Sequence, residues 1–291
     1  MKNLKILLFA FVMITSCSNS SKKDDDKLKR YDVKSGIVNY RITGSGNMMG
    51  SSISEEGTAR CVFKDSGATE LREEESTTTT VVKIPFAGTK RDVQSSHTLD
   101  KLISGKSYSV DFEEQVIYES DDMPMNFIKA FYPNQDAGDF GQKGLEAMGG
   151  KKIGTEKVLG YPCDIWELMG VKQWIYKGVP LKIEGNIAGL LTVQEAVSAT
   201  FDVDISDKDL QLPDYPVKRL SSFIENDDAS DDFNEDMEIE QMKEELKKIQ
   251  KMSFKEWKKT VQGNDPEMRE LSDEELKEIY DMSKKAAKFI L

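Results

Sequence analysis

The sequence predicts an α+β protein in which a twisted antiparallel β-sheet precedes a C-terminal α-helical segment. Three observations carry that expectation. From Gly36 to about Asp204, short runs rich in β-branched and aromatic residues are separated by turn residues. Within Gly154 to Gly185 the alternation of side chains is regular over two neighbouring runs. After Ile239, apolar residues recur at spacings of three and four, the period of a helix face.

The chain opens with Lys2 and Lys5 and then a nine-residue run, Ile6 to Ile14, that is almost wholly apolar. As a helix it would be roughly 14 Å long, about half of the ~30 Å hydrocarbon core of a bilayer. It cannot span a membrane unaided and reads as the core of a signal peptide covering residues 1–16. Ile14, Thr15, Ser16 and Cys17 then resemble a lipobox, the recognition sequence of bacterial lipoprotein signal peptides. That resemblance implies a thioether-linked lipid on the Cys17 sulfur, cleavage before Cys17 and acylation of the new amine. Stable attachment needs more than one acyl chain, and such a cysteine carries three, so Cys17 is expected to be a membrane anchor.

Residues 17–32 follow as a tether. Ser18 to Arg30 holds no aromatic or branched apolar residue except Leu28, too little apolar surface to offset the entropy of ordering it. The lysines and aspartates here also resemble the tracts that follow the lipidated cysteine in surface-exposed lipoproteins of the Bacteroidota, where they act as an export signal. A plain solvated linker has the same composition. Ser18, not aspartate, follows Cys17, so the commonest inner-membrane retention cue is absent. The expected address is the outer membrane, with periplasmic and surface leaflets both open.

The formal net charge is -12, and loss of Lys2 and Lys5 with the signal makes it more negative. Nucleic acid is disfavoured as a partner, because phosphate binding needs a basic face. No later segment is apolar enough over sufficient length to cross a membrane as a helix. Cys61 and Cys163, each in a predicted strand, can join as a disulfide in an oxidising compartment or stay as two buried thiols.

The β domain is expected over residues 33–220. Predicted strands include Gly36–Ile42, Gly57–Phe63, Thr77–Pro85 and Lys106–Phe112, with turns at Lys64–Gly67 and at Ser104 and Gly105. Between about Met123 and Gly149 the spacing becomes helical with Gly punctuation, so one or two short helices interrupt the sheet. Beyond them, Tyr161, Cys163, Ile165 and Glu167 alternate with Pro162, Asp164, Trp166 and Leu168, Met169 and Gly170 turn the chain, and a second strand carries Trp174. Trp166 and Trp174 are expected as a cross-strand or diagonal aromatic pair on this hairpin, worth roughly 0.2 to 1 kcal/mol. The run Val179–Gly185 leads into Gly189–Asp204, long enough for one extended strand or two.

The segments SGIVNY, GTARCVFKDSGATE, GTEKVLGYPCDIWE, KQWIYKGVPLKIEG and LPDYPV (Leu212 to Val217) resemble uncharacterised Bacteroidota lipoproteins whose fold is similar to the lipoprotein-carrier half-barrel. The resemblance covers roughly Val33 to Val217 and implies an antiparallel unclosed β half-barrel with short covering helices. In the better-known carriers such a barrel holds acyl chains against its concave face. An apolar pocket is therefore implied, with Met48, Met49, Trp166, Trp174, Ile175 and Leu181 as candidate lining residues taken from alternation. The carriers proper are soluble, so a tethered chain would not shuttle across the periplasm.

An acidic linker is expected over residues 221–236. Nine carboxylates lie from Glu225 to Glu240, and no Lys or Arg falls between Arg219 and Lys243. Asp227 to Asp236 lacks the glycine and the ligand spacing of an EF-hand, so no calcium site is expected there. Residues 237–291 read as helices. Ile239, Met242, Leu246 and Ile249 form one stripe, and Leu276, Ile279, Tyr280, Ser283, Ala287 and Ile290 form another. Ser253 and Ser272 each stand three residues before a Glu, as in a capping box, and Pro266 suits a first helical position. The stripes can pack on one another, dock on an envelope partner or, through Lys277, Lys284, Lys285 and Lys288, meet anionic lipid.

Catalytic signals are sparse. His97, the single histidine, falls in a predicted strand, where a core or surface role is the plainer one. Gly44 to Gly50 places its third glycine one position late for a dinucleotide fingerprint and reads as a flexible turn. No P-loop, nucleophile elbow or zinc spacing occurs. No enzyme activity, cofactor or metal is expected. Two readings remain: binding of an acyl chain or lipid in the half-barrel groove, or engagement of an envelope protein through the C-terminal helices.

Overall fold

The computed structural model describes residues 29–48, 51–84, 88–103, 105–122, 137–187, 190–219, 244, 246–264, 267–269 and 271–291. Cys17, Met49, the signal and the acidic stretch 221–236 lie outside the described residues. The chain divides into two compact units, one within Met1–Gln142 and Lys151–Glu225, the other within Lys143–Gly150 and Asn226–Leu291.

The first unit is a sheet of 12 strands. In chain order they are β1 (Gly36–Met48), β2 (Ser51–Lys64), β3 (Thr69–Ile84), β4 (Gly88–Ile103), β5 (Lys106–Asp111) and β6 (Val116–Asp121). After an inserted helix, α1 (Ala137–Ala147), come β7 (Lys151–Val158), β8 (Tyr161–Leu168), β9 (Val171–Tyr176), β10 (Val179–Ile187), β11 (Leu190–Phe201) and β12 (Val217–Arg219). Across the sheet the order is β12, β6, β5, β4, β3, β2, β1, β11, β10, β9, β8, β7, so β12 and β7 are edges and the sheet does not close. Every pairing is antiparallel except that of β12 with β6. The architecture is the predicted α+β half-barrel class. β1 runs on through Gly44 to Met48, paired with β2 throughout, so the stretch expected as a flexible turn is strand up to that point.

Short turns set the register of β7 to β10. The three connections each place two residues at positive φ: Leu159 and Gly160, Met169 and Gly170, Lys177 and Gly178. Such turns match the right-handed twist of the strands they join. Because Leu168 faces Val171, Trp166 faces Gln173 and Ile165 faces Trp174. Successive side chains point to opposite faces, so Trp166 and Trp174 lie on different faces and the expected aromatic pair does not form. Alternation found the strands; the odd offset between the two tryptophans decided the faces.

The sheet curls toward one face. Tyr161 on β8 donates to the carbonyl of Ala199 on β11, three strands away, and its ring lies 5.0 Å from Phe201. Tyr40 on β1 donates to the carbonyl of Pro180 on β10. Side chains can bridge that far only across a concave surface. This inner face carries the main core, including Val38, Tyr40, Phe63, Trp174 and Leu181. Its end is plugged by Tyr31 and Val33, with Tyr31 packed 4.6 Å from Phe63. Arg30 and Tyr31, expected within the tether, are buried, and their amides donate to the carbonyl of Ser66.

On the outer face a smaller core of Val62, Leu71, Leu99 and Leu210 is joined by Val110 and Phe112. Leu210 ends a 3₁₀ turn, Asp207–Leu210, that is held to β2 by Lys64 with Asp207 (2.7 Å) and Arg60 with Asp209 (3.5 Å).

The second unit contains the helices α2 (Phe254–Asn264) and α3 (Asp273–Ile290), joined by α1 from Lys143 onward. Trp257 of α2 packs with Leu276 and Tyr280 of α3, and Phe254, Val261 and Ile279 close around them. Ser272 caps α3 in the predicted capping box with Glu275, and Ser253 bonds Glu256 in the same manner at the start of α2. The apolar faces of α2 and α3 therefore cover one another; of the first expected stripe, Ile239 and Met242 lie outside the described residues.

Candidate functional site

A groove of about 1410 Å³ opens on the outer face beside the Leu210 cluster. Its floor follows from strand register. Arg41, Thr58, Glu75 and His97 stand opposite one another on β1, β2, β3 and β4, and Thr43, Glu56, Thr77 and Ser95 form the next row. Val110, Phe112 and Tyr118, on β5, the turn after it and β6, contribute the wall. The lining thus mixes carboxylates and hydroxyls with aliphatic and aromatic surface.

His97 is held there by two carboxylates and an aromatic ring. Its Nε2 lies 3.0 Å from Glu73 Oε1 and 3.7 Å from Glu75 Oε1. Its ring stacks on Phe112, with centroids 4.0 Å apart and planes inclined by 11°. Glu73 and Glu75 are two residues apart on β3 and so share a face, and the hairpin of β3 and β4 brings His97 directly opposite Glu75. Arg60, opposite Glu73 on β2, turns instead to Asp209. Among the described residues no hydroxyl or thiol bonds to His97; Ser95 pairs with Thr77 and Ser109 with Asp100.

The described residues expected to line an apolar pocket are placed elsewhere; Met49 lies outside the described residues. Trp166, Trp174, Ile175 and Leu181 are all buried, Leu181 completely, and none lines this groove. Trp174 and Leu181 belong to the inner core, where the indole of Trp174 donates to Glu156 at 2.6 Å. Met48 ends β1, opposite Ser51. Cys61 and Cys163 are free thiols, not a disulfide, and both sit in the inner core. Burial pushes the Cys163 thiol up to about 11, and burial followed by the nearby Glu70 carboxylate holds that of Cys61 well above its ordinary value. Thiols held protonated in this way are poor nucleophiles and poor metal ligands.

No family model matches the chain, and no curated protein matches it. Among solved structures, an uncharacterized conserved protein from Thermus thermophilus aligns over 63% of this chain and 91% of its own, at 11% identity and a TM-score of 0.34. A domain described as an outer membrane lipoprotein-sorting protein from Vibrio parahaemolyticus aligns over 62% and 91%, at 10% identity and a TM-score of 0.25. A DUF1329 family protein from Desulfovibrio piger aligns over 62% and 90%, at 11% identity and a TM-score of 0.23. At such identities and scores the likeness carries no functional meaning, and it lends nothing to the Bacteroidota resemblance. Among the described residues, no helix is long and apolar enough to cross a membrane, which says nothing about strands.

Proposed function

We propose that this protein is a non-catalytic lipoprotein of the cell envelope, anchored through Cys17 to the outer membrane, that binds an acyl chain or lipid. The observation that carries the binding part is the outer groove, where Val110 and Phe112 lie beside Thr58, Thr77 and Ser95. A lining of that kind suits a ligand with an apolar chain and a polar head. The anchoring part rests on Ile14 to Cys17 and the short apolar run before them. The non-catalytic part is favoured by two buried, protonated thiols and by a histidine whose near neighbours are carboxylates, with no activated nucleophile among the described residues. The alternative, docking of an envelope protein on the C-terminal helices, is less favoured because Trp257, Leu276 and Tyr280 cover each other's apolar surface.

Native mass spectrometry of the chain carrying Cys17→Ala tests the binding reading. Co-purifying lipid, lost when Thr58→Trp fills the groove floor, is the expected result. Repeated recovery of bare protein that also takes up no added phospholipid would overturn it.

A further inference from the structure

The cluster at the groove floor also suits a ligand of a different kind. Glu73, Glu75 and His97 each offer one donor atom, and the three atoms lie within 4.8 Å of one another. Around a tetrahedral metal with bonds of about 2.1 Å, neighbouring donors are about 3.4 Å apart. The distances from His97 Nε2, 3.0 Å to Glu73 and 3.7 Å to Glu75, straddle that value. Small rotations of two partly exposed carboxylates would bring the set to bonding geometry, while the stacking on Phe112 holds the imidazole plane.

We infer that Glu73, Glu75 and His97 form a binding site for a divalent transition metal of the zinc class, with at least one coordination position left open to the groove. The donor set directs the choice of metal. One imidazole and two carboxylates suit zinc and its neighbours, whereas an all-oxygen set would suit calcium or magnesium. Two carboxylates on one face of a strand repel each other, and a dication bound between them removes that repulsion. The imidazole must present its Nε2 lone pair to the metal, so the hydrogen bond to Glu73 is exchanged for a bond to the ion and the ring proton resides on Nδ1. Three protein ligands and an open position match sites that hold a ligand or a water on the metal, in contrast to closed structural sites with four. The site is on the outer surface of the sheet, and its ion is not required for the fold.

His97 is the chain's single histidine, so its imidazole resonances can be read without assignment. The experiment uses the full chain with Cys17→Ala, purified without a histidine tag, and titrates zinc chloride alone. The expected result is one zinc per chain by calorimetry, with the His97 ring signals shifting in step. His97→Asn and Glu75→Gln should each weaken binding by roughly tenfold or more, since losses in the surroundings of a metal already cost 10–100-fold. Far-UV circular dichroism of both variants should match the parent, because all three side chains are partly exposed. Unmoved ring signals at saturating zinc, or zinc binding that survives His97→Asn unchanged, would overturn the site. Lipid uptake plays no part in either readout, so failure here leaves the groove reading intact, and the reverse also holds.

Discussion

Tyr31 donates its hydroxyl hydrogen to Oε2 of Glu70 across 2.6 Å, deep inside the first unit. The bond ties the segment before β1 to the start of β3, and Arg30 stands 3.7 Å from the same carboxylate. Tyr31→Phe removes the donor and leaves a buried carboxylate short of a partner. The expected loss is about 1–3 kcal/mol, read from urea unfolding. A change of only a few tenths would mean that water reaches Glu70.

Alkaline pH should weaken the fold. The folded pKa of Cys163 lies at about 11, above the ordinary thiol value of 9.0. Between those values the folded chain holds a proton that the unfolded chain has lost. This contribution to stability is complete below pH 9 and disappears as pH climbs through 11. Tyr31 and Tyr40, both raised chiefly by burial, act in the same sense above pH 10. Urea midpoints are expected to fall over this range, and Cys163→Ser should flatten the decline. A flat profile for the parent would contradict the assignment.

Alkylation gives a simpler check on the same thiols. Iodoacetamide at pH 8 should leave Cys61 and Cys163 unmodified in the folded protein and label both in denaturant. Mass spectrometry that found them oxidised to each other would refute the free-thiol arrangement.

The helical unit should respond to two substitutions of unequal weight. Leu276→Ala opens a cavity at a fully buried position, with an expected loss of about 2–5 kcal/mol. Ser272→Ala removes the cap of α3 and should lower stability by about 1 kcal/mol. Amide exchange along α3 measures both.

Anchoring is tested in the host. Cys17→Ala should shift the protein from membrane to soluble fractions, and palmitate label should enter the parent but not the variant. Equal partitioning would remove the case for lipidation.

Most of the sheet is legible in the chain because β-branched residues, alternation and X-Gly turns all point the same way around β7 to β10. The start of β3 is less so: Thr69 to Ser76 is rich in charge, yet Leu71 faces one core while Glu70 and Arg72 are buried on the other side. Composition hides such a strand, since its polar side chains find partners only after folding. The cluster at His97 is hidden for another reason. Glu73 and Glu75 lie more than 20 residues before it, and a long hairpin must be registered before they meet. A Glu-x-Glu on a strand, with a histidine on the run that follows, was the available clue. Trp166, Trp174, Ile175 and Leu181 do not line the groove because alternation marks buried side chains without saying whether they touch a ligand or each other.

The edge strand β7 carries Lys151, Lys152 and Lys157, with a bulge between Lys152 and Gly154. Charge and irregularity along an open edge discourage a second copy from adding its own strand there. Wherever copies of the chain meet at high density, that margin offers little for fibrous stacking, and the half-barrel can stay open without becoming sticky there.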